Sequence, residues 1–173
     1  MNMKDILLQI FRELNGRIEA ENQVREDSGA VKLLPVEIQI LGQMSLLANE
    51  MAAQFLVLQR TGDLDALIKS SQHFALHVLK KELLPKYGLV FDDDSEKIWI
   101  PPQSRFEKFC DFRFVRVKLL DPESTLVSKA IKAPQKNKLL IVEAIASEQF
   151  STLVERIEKH GGDLKFFLED ENE

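Results

Sequence analysis

Ile38-Gln39-Ile40-Leu41-Gly42-Gln43-Met44-Ser45 and, further on, Gly62-Asp63-Leu64-Asp65-Ala66-Leu67-Ile68 decide how this chain is read. From Val36 to Leu41 apolar and polar residues alternate, the period of a half-buried strand. Gly42 breaks that pattern. From Ser45 to Gln54 the residues Leu46, Leu47, Met51 and Ala52 gather on one side of a helix. Arg60-Thr61-Gly62 interrupts the apolar run that begins at Phe55, and Leu64 to Ile68 predicts a second strand. A strand, a glycine turn, a helix and a strand that opens on an acid pair therefore follow one another.

Working outward, Asp5 to Glu21 predicts a helix, because Ile6, Leu7, Ile10, Leu14 and Ile18 fall at helical spacing. Asn22 to Gly29 is polar and predicts a loop. Ser70 to Lys86 predicts a long helix with lysines near its C-terminal end, where cations are favoured. Pro85 interrupts its last turn and Gly88 ends it. Asp92-Asp93-Asp94-Ser95 predicts a turn between short strands at Leu89–Phe91 and Lys97–Ile100. Phe112 to Leu120 alternates over a further strand rich in aromatic and β-branched residues. Pro122 to Ile131 predicts a helix capped by Asp121, with Pro122 at its first position. Helices over Lys138–Ala146 and Ser147–Lys159 follow, the second ended by Gly161-Gly162. The tail from Leu164 to Glu173 is expected to fray. The fold class is thus α/β (α+β), a small mixed sheet with flanking helices and a helical C-terminal part. Residues 1–30 supply an N-terminal helix and loop, 36–120 the sheet-bearing core, and 121–173 the helical part of a single domain.

Bulk properties bound the function. The chain has 173 residues, is 45% hydrophobic and 29% charged, and carries a net charge of −5. Binding nucleic acid through generic charge is not expected, because neutralising phosphates needs a basic surface. A lone cysteine, Cys110, excludes an internal disulfide and reads as a buried thiol. No stretch approaches the roughly 20 apolar residues of a membrane span, and the N-terminus lacks the apolar core of a signal peptide. A cytoplasmic protein with no membrane contact is the expectation.

The order of the decisive elements resembles the signature of the nucleotidyltransferase superfamily, in which a strand runs into a Gly-Gly or Gly-Ser turn and the strand after the next helix carries Asp-x-Asp. Downstream, Arg116-Val117-Lys118-Leu119-Leu120-Asp121-Pro122-Glu123-Ser124-Thr125-Leu126-Val127-Ser128-Lys129 is similar to a stretch in a bacterial subgroup of toxin–antitoxin and abortive-infection nucleotidyltransferases. There a strand leads through Asp/Ser-Pro-Glu into a helix with a Leu-x-x-x-Lys element. The likeness runs from about Val36 to Ala146. It implies the minimal nucleotidyltransferase fold, Mg²⁺ as cofactor, and a nucleoside triphosphate as a ligand.

The chemistry accounts for the spacing. Residues i and i+2 of a strand share a face, so Asp63 and Asp65 would converge on one divalent ion, and a hard cation such as Mg²⁺ prefers carboxylate oxygen. The turn at Gly42, Gln43 and Ser45 would admit phosphates to backbone N–H groups. Arg60 and Thr61 would bind triphosphate, or would form a solvated turn. Lys129 would face phosphate by the resemblance, or would be a helical surface lysine with a snorkelling stem. A third carboxylate normally completes such a site, and Asp111, at the start of the predicted strand over Phe112–Leu120, is the first candidate, ahead of Asp93 and Glu107. Gln43 stands where the family has a second glycine or serine, and the Phe112–Leu120 strand holds Arg113, Arg116 and Lys118 but no internal acid.

Other residues read as structural. His73 and His77 share a helix face at i and i+4, without the Glu of a His-Glu-x-x-His site. The Asp92-Asp93-Asp94 run lacks the length of a calcium loop. Trp99 lacks the aromatic neighbours of a base-stacking platform. Two functions remain open. One is transfer of a nucleotidyl group from a nucleoside triphosphate to a hydroxyl acceptor with Mg²⁺, using Asp63, Asp65 and Asp111. The other is a catalytically inactive module of the same fold, acting through a protein partner.

Overall fold

The computed structural model describes residues 1–69 and 73–169. It is a mixed α/β arrangement whose four-stranded sheet joins β3 (Ala66–Lys69), β1 (Val36–Ile40), β6 (Val115–Leu120) and β5 (Phe106–Asp111) in that order. β1 runs antiparallel to β3 and parallel to β6, and β5 runs antiparallel to β6. A separate two-stranded parallel ribbon pairs β2 (Asp63–Leu64) with β4 (Val90–Phe91).

The alternation along the strands sorts their side chains. Val36, Ile38 and Ile40 of β1 and Val115, Val117 and Leu119 of β6 enter one core. Glu37 and Lys118 point the other way and pair at 3.3 Å. That core is closed by α1 (Met3–Ser28), whose Leu7, Ile10, Phe11, Leu14 and Ile18 are fully buried, and by α4 (His73–Val78) with its continuation. Beyond α4 the helix widens into a π turn over Leu79–Leu83 before α5 (Leu84–Lys86). Pro85 lacks the N–H that would bond one turn back, so regular helix cannot pass through it unchanged.

A second core lies among the helices that follow β6. Here α2 (Gly42–Ala48), α3 (Glu50–Phe55), α6 (Pro122–Lys132), α7 (Lys138–Ala146), α8 (Leu153–Lys159) and α9 (Leu164–Leu168) bury Leu46, Leu126, Val127, Ile141, Leu153 and Phe167. No helix among the described residues is long and apolar enough to cross a membrane.

Several expectations are corrected. The polar stretch from Asn22 to Ser28 is helix, not loop, and α1 ends only at Gly29, which is left-handed at φ 72°. A Glu21–Arg25 ion pair at 3.0 Å supports the extra turns, as does Asn22, which is buried and exchanges two hydrogen bonds with the backbone of Leu33. The helix expected over Ser45–Gln54 is two helices, restarted at Asn49, whose side chain accepts from Ala52 N–H at 3.0 Å. The expected Lys97–Ile100 strand is a 3₁₀ turn over Ser95–Lys97 and then unpaired extended chain. Trp99 gives its carbonyl to Ser128 Oγ at 2.7 Å, so this segment is fastened to α6 instead of to a sheet. The expected Phe112–Leu120 strand begins at Val115, and Phe112 to Phe114 form the turn of a hairpin with β5. β5 escapes sequence reading because a register shift between Lys108 and Cys110 breaks its alternation. The helix expected from Ser147 starts at Leu153, since Ser147 Oγ donates back to Ala144 and Glu148 is left-handed at φ 59°. The expected fraying tail forms α9 with Phe167 buried, as far as residue 169. Residues 70–72 of the expected long helix, and 170–173 of the tail, lie outside the described residues.

Candidate functional site

The acid pair occupies the junction between two sheets. β2 ends at Leu64 and β3 starts at Ala66, so Asp65 is the single residue between them. Its carbonyl accepts from Leu41 N–H at 2.8 Å, which ties it to the end of β1. The turn after β4 holds it from the other side. Asp92 N–H donates to the Leu64 carbonyl at 2.9 Å, and Ala66 N–H donates to Ser95 Oγ at 3.0 Å. Ser95 Oγ in turn donates to the Asp92 carbonyl at 2.6 Å. This lattice fixes Asp92 against Asp65.

Gly42 explains how the turn admits the acid. Its φ is 61°, a region that favours glycine, and a Cβ there would stand 2.8 Å from Asp65 Oδ2. The glycine is therefore the gap into which the Asp65 carboxylate fits. Among the described residues, Asp65 Oδ1 is the buried side-chain atom left without a hydrogen-bond partner. Burial, then the neighbouring Asp92 carboxyl and the charge of Asp63, push the Asp65 carboxyl up to about 7, and only Lys129 acts against them.

A cleft of about 300 Å³ opens here, with Asp63, Asp65 and Asp92 in its lining beside Lys129, Lys132 and Lys136. α6 delivers the first two lysines, and Lys136 follows in the turn after it. The helix starts directly after β6, with the Asp121 side chain accepting from Ser124 N–H at 2.9 Å and Pro122 at its first position. Lys129 is half-buried, and its ammonium is held below its usual range by burial first and then by Lys136, with Asp65 opposing both. Lys132 lies over the Trp99 ring at 5.4 Å, which holds its stem along the rim.

The expected site residues separate. Gly42, Gln43, Thr61, Asp63, Asp65 and Lys129 all line this cleft. Thr61 Oγ1 accepts from Asp63 N–H at 3.2 Å, and Gln43 Nε2 donates to the Gln59 carbonyl at 2.9 Å. Arg60 lines an adjoining cleft instead. Ser45 is buried, donates to the Gly42 carbonyl at 2.7 Å and meets Thr125 Oγ1 at 3.2 Å, so it joins α2 to α6 and does not face the cleft.

Asp111 is not brought to the site. It closes β5 opposite Arg116, with Arg116 Nε at 3.5 Å and Lys108 Nζ at 3.9 Å, whereas the cleft opens at the other end of β6, by Leu120. Asp93 is exposed and paired with Lys80, and Glu107 accepts from Asn49 Nδ2 at 3.2 Å. The acid beside Asp65 is Asp92, which the sequence marks only as part of a turn. Lys132 and Lys136 are further cleft residues that sequence reasoning misses, although Lys129 and Lys132 at i and i+3 on one helix share a face. His73 and His77 are exposed, and His160 meets the Trp99 ring edge-on at 5.4 Å. Cys110 is buried and its thiol is pushed up to about 12, chiefly by that burial, which suits an unreactive core residue.

The donor set suits a magnesium ion accompanied by a phosphate ligand. No three His, Cys, Asp or Glu side chains among the described residues are grouped as a self-sufficient metal site. Mg²⁺ does not need one, since it usually takes one or two carboxylates and completes its shell with substrate phosphates and water. The partnerless Asp65 Oδ1 offers the carboxylate oxygen, and the lysines across the cleft offer countercharge to the phosphates. No family model, curated protein or solved structure matches this chain.

Proposed function

We propose that this chain is a nucleotidyltransferase of the minimal fold, transferring a nucleotidyl group from a nucleoside triphosphate to a hydroxyl acceptor. The observation that carries the reading is the cleft in which Asp63, Asp65 and Asp92 share one space with Lys129, Lys132 and Lys136. Acids alone would repel a triphosphate, and lysines alone would bind it without directing chemistry. Together they match a ligand that is anionic and carries a divalent cation.

In this reading the acceptor oxygen attacks the α-phosphorus, a new P–O ester bond forms, the α–β anhydride bond breaks, and pyrophosphate leaves. Asp63 and Asp65 would hold Mg²⁺, which would supply charge stabilisation at the phosphate. Asp92 takes the place first expected of Asp111, that of the third acid beside the pair, and would activate the acceptor hydroxyl by accepting its proton. Lys129, Lys132 and Lys136 neutralise the phosphates and the departing pyrophosphate. The open backbone at Gly42 lets the Asp65 carboxylate sit at the end of β1.

The test is a thermal-shift series of wild type and the Asp63→Ala/Asp65→Ala double variant across the nucleoside triphosphates, with and without Mg²⁺ or Mn²⁺. A ligand at about 100 times its Kd stabilises by roughly 2.7 kcal/mol, which for a chain of this size is a rise in Tm of roughly 5–10 °C. A metal-dependent rise that the double variant loses is expected. The absence of any rise with a folded protein would remove the nucleotide from the site.

One observation favours a second reading. β6 carries Arg116 and Lys118 where an acid would complete a two-metal site, and both are ion-paired, to Asp111 and Glu37. A module that binds the nucleotide without reacting, and acts through a protein partner, fits that strand. It is separated from the enzyme by incubating the protein with radiolabelled triphosphate and a hydroxyl acceptor. Pyrophosphate release identifies the enzyme, and binding without release identifies the module.

A further inference from the structure

Next to the acid–lysine cleft is a second one of about 580 Å³, and the two share Gln43, Thr61, Lys129, Lys136 and Asn137 in their walls. Its remaining wall is mixed: Arg60, Lys138 and Glu143 stand there beside apolar side chains and amides. Leu139 and Val57 line it while 86% and 81% exposed, which places them with Val31 as the most exposed large apolar side chains among the described residues. Gln59 and Gln135 add side-chain amides. The wall is also braced. Val57 N–H donates to Glu143 Oε1 at 2.9 Å, which fastens the loop bearing Val57 to α7, the helix bearing Leu139. Gln43 Nε2 holds the same loop through the Gln59 carbonyl at 2.9 Å.

We propose that this second cleft receives the nucleoside part of the triphosphate whose phosphates lie in the first; the inference rests on the reading of the acid–lysine cleft given above. A nucleoside has apolar ring faces and a polar edge. Val57 and Leu139 would lie against the faces, and the amides of Gln59 and Gln135 would meet the edge, as each amide carries both donors and an acceptor. The cations Lys129 and Lys136 stand in the shared wall, where the sugar gives way to phosphate.

The test compares two probes on the full chain by calorimetry in Mg²⁺: ATP, and inorganic tripolyphosphate, which has the phosphates without the nucleoside. Leu139→Asn and Val57→Asn remove the apolar contacts without adding charge, and both positions are exposed enough for the fold to survive, as unchanged melting would verify. Each variant is expected to weaken ATP by about tenfold, a typical effect of about 1.4 kcal/mol, and to leave tripolyphosphate unchanged. Lys129→Ala should weaken both probes. Equal affinity of wild type for ATP and tripolyphosphate would overturn the inference, and so would ATP binding that neither asparagine variant alters, which would reassign the cleft to the acceptor; both results leave the phosphate site standing. Failure of wild type to bind either probe would overturn the inference together with the reading it rests on.

Discussion

Replacing Gly42 by alanine tests the geometry on which the site depends. At φ 61° an L-residue pays about 1–2 kcal/mol for the left-handed backbone. The new Cβ would stand 2.8 Å from Asp65 Oδ2, closer than real Cβ atoms approach, so the Asp65 carboxylate must move. Asp65 is confined by Asp92, and forcing its side chain off a rotamer costs about 0.5–1.5 kcal/mol more. The sum is roughly 1.5–3.5 kcal/mol, or a fall in Tm of roughly 3–14 °C for a chain of this size. Urea denaturation of Gly42→Ala measures it. Gly16→Ala is the control, because Gly16 lies within α1 and nothing stands within 4 Å of the place its new methyl would take. The same substitution there should stabilise by about 0.5–1 kcal/mol. The variant at Gly42 should also lose the Mg²⁺-dependent thermal shift with ATP, since the displaced carboxylate is a proposed metal ligand. A Gly42→Ala protein as stable as wild type that still binds Mg²⁺ and ATP would refute the close approach of Asp65 to the glycine turn, and with it the derivation of the site.

Two further outcomes are expected. Because the Asp65 carboxyl is raised from 3.8 to about 7, the native state holds a proton there that the unfolded chain has already released. Its contribution is fully present below pH about 4 and is lost as pH rises toward 7, so Tm should fall across that window, and Asp65→Asn should flatten the slope when both are melted without divalent metal at constant ionic strength. Asn22→Ala removes both hydrogen bonds to Leu33 and leaves part-buried backbone groups unpaired, which should cost about 2–3 kcal/mol in urea denaturation; a loss under about 0.5 kcal/mol would mean that water replaces the clamp.

Local pattern makes much of this molecule legible without knowledge of its fold. The alternation of β1, the helical stripe of α1, the capped start of α6 and the acid pair after Gly62 each depend on neighbours in the chain, and the structure contains an element at each. Expectations fail where a distant partner decides. The Lys97–Ile100 stretch has strand composition, but its anchor is Ser128 on α6, so it never enters a sheet. β5 is strand despite a broken pattern because β6 pairs with it along its length.

The candidate site divides along the same line. Gly42, Asp63 and Asp65 are visible in the sequence because a glycine turn and a closely spaced acid pair are properties of a short segment, but the expected Leu64–Ile68 strand parts at Asp65 into β2 and β3, so the two acids do not share one strand. Asp111 and Asp92 exchange places because strand direction is not written in either residue's surroundings: β5 runs antiparallel to β6 and carries Asp111 to the far end of the sheet, while β4 pairs with β2 and sets Asp92 beside Asp65. The sequence by itself determined β1, the stripe of α1, the start of α6 and where an acid pair would follow a glycine turn, through periodicity and backbone preference. Only the tertiary structure decided which third acid and which lysines meet that pair, because hydrogen bonding between strands and packing of α6 join residues that lie far apart along the chain.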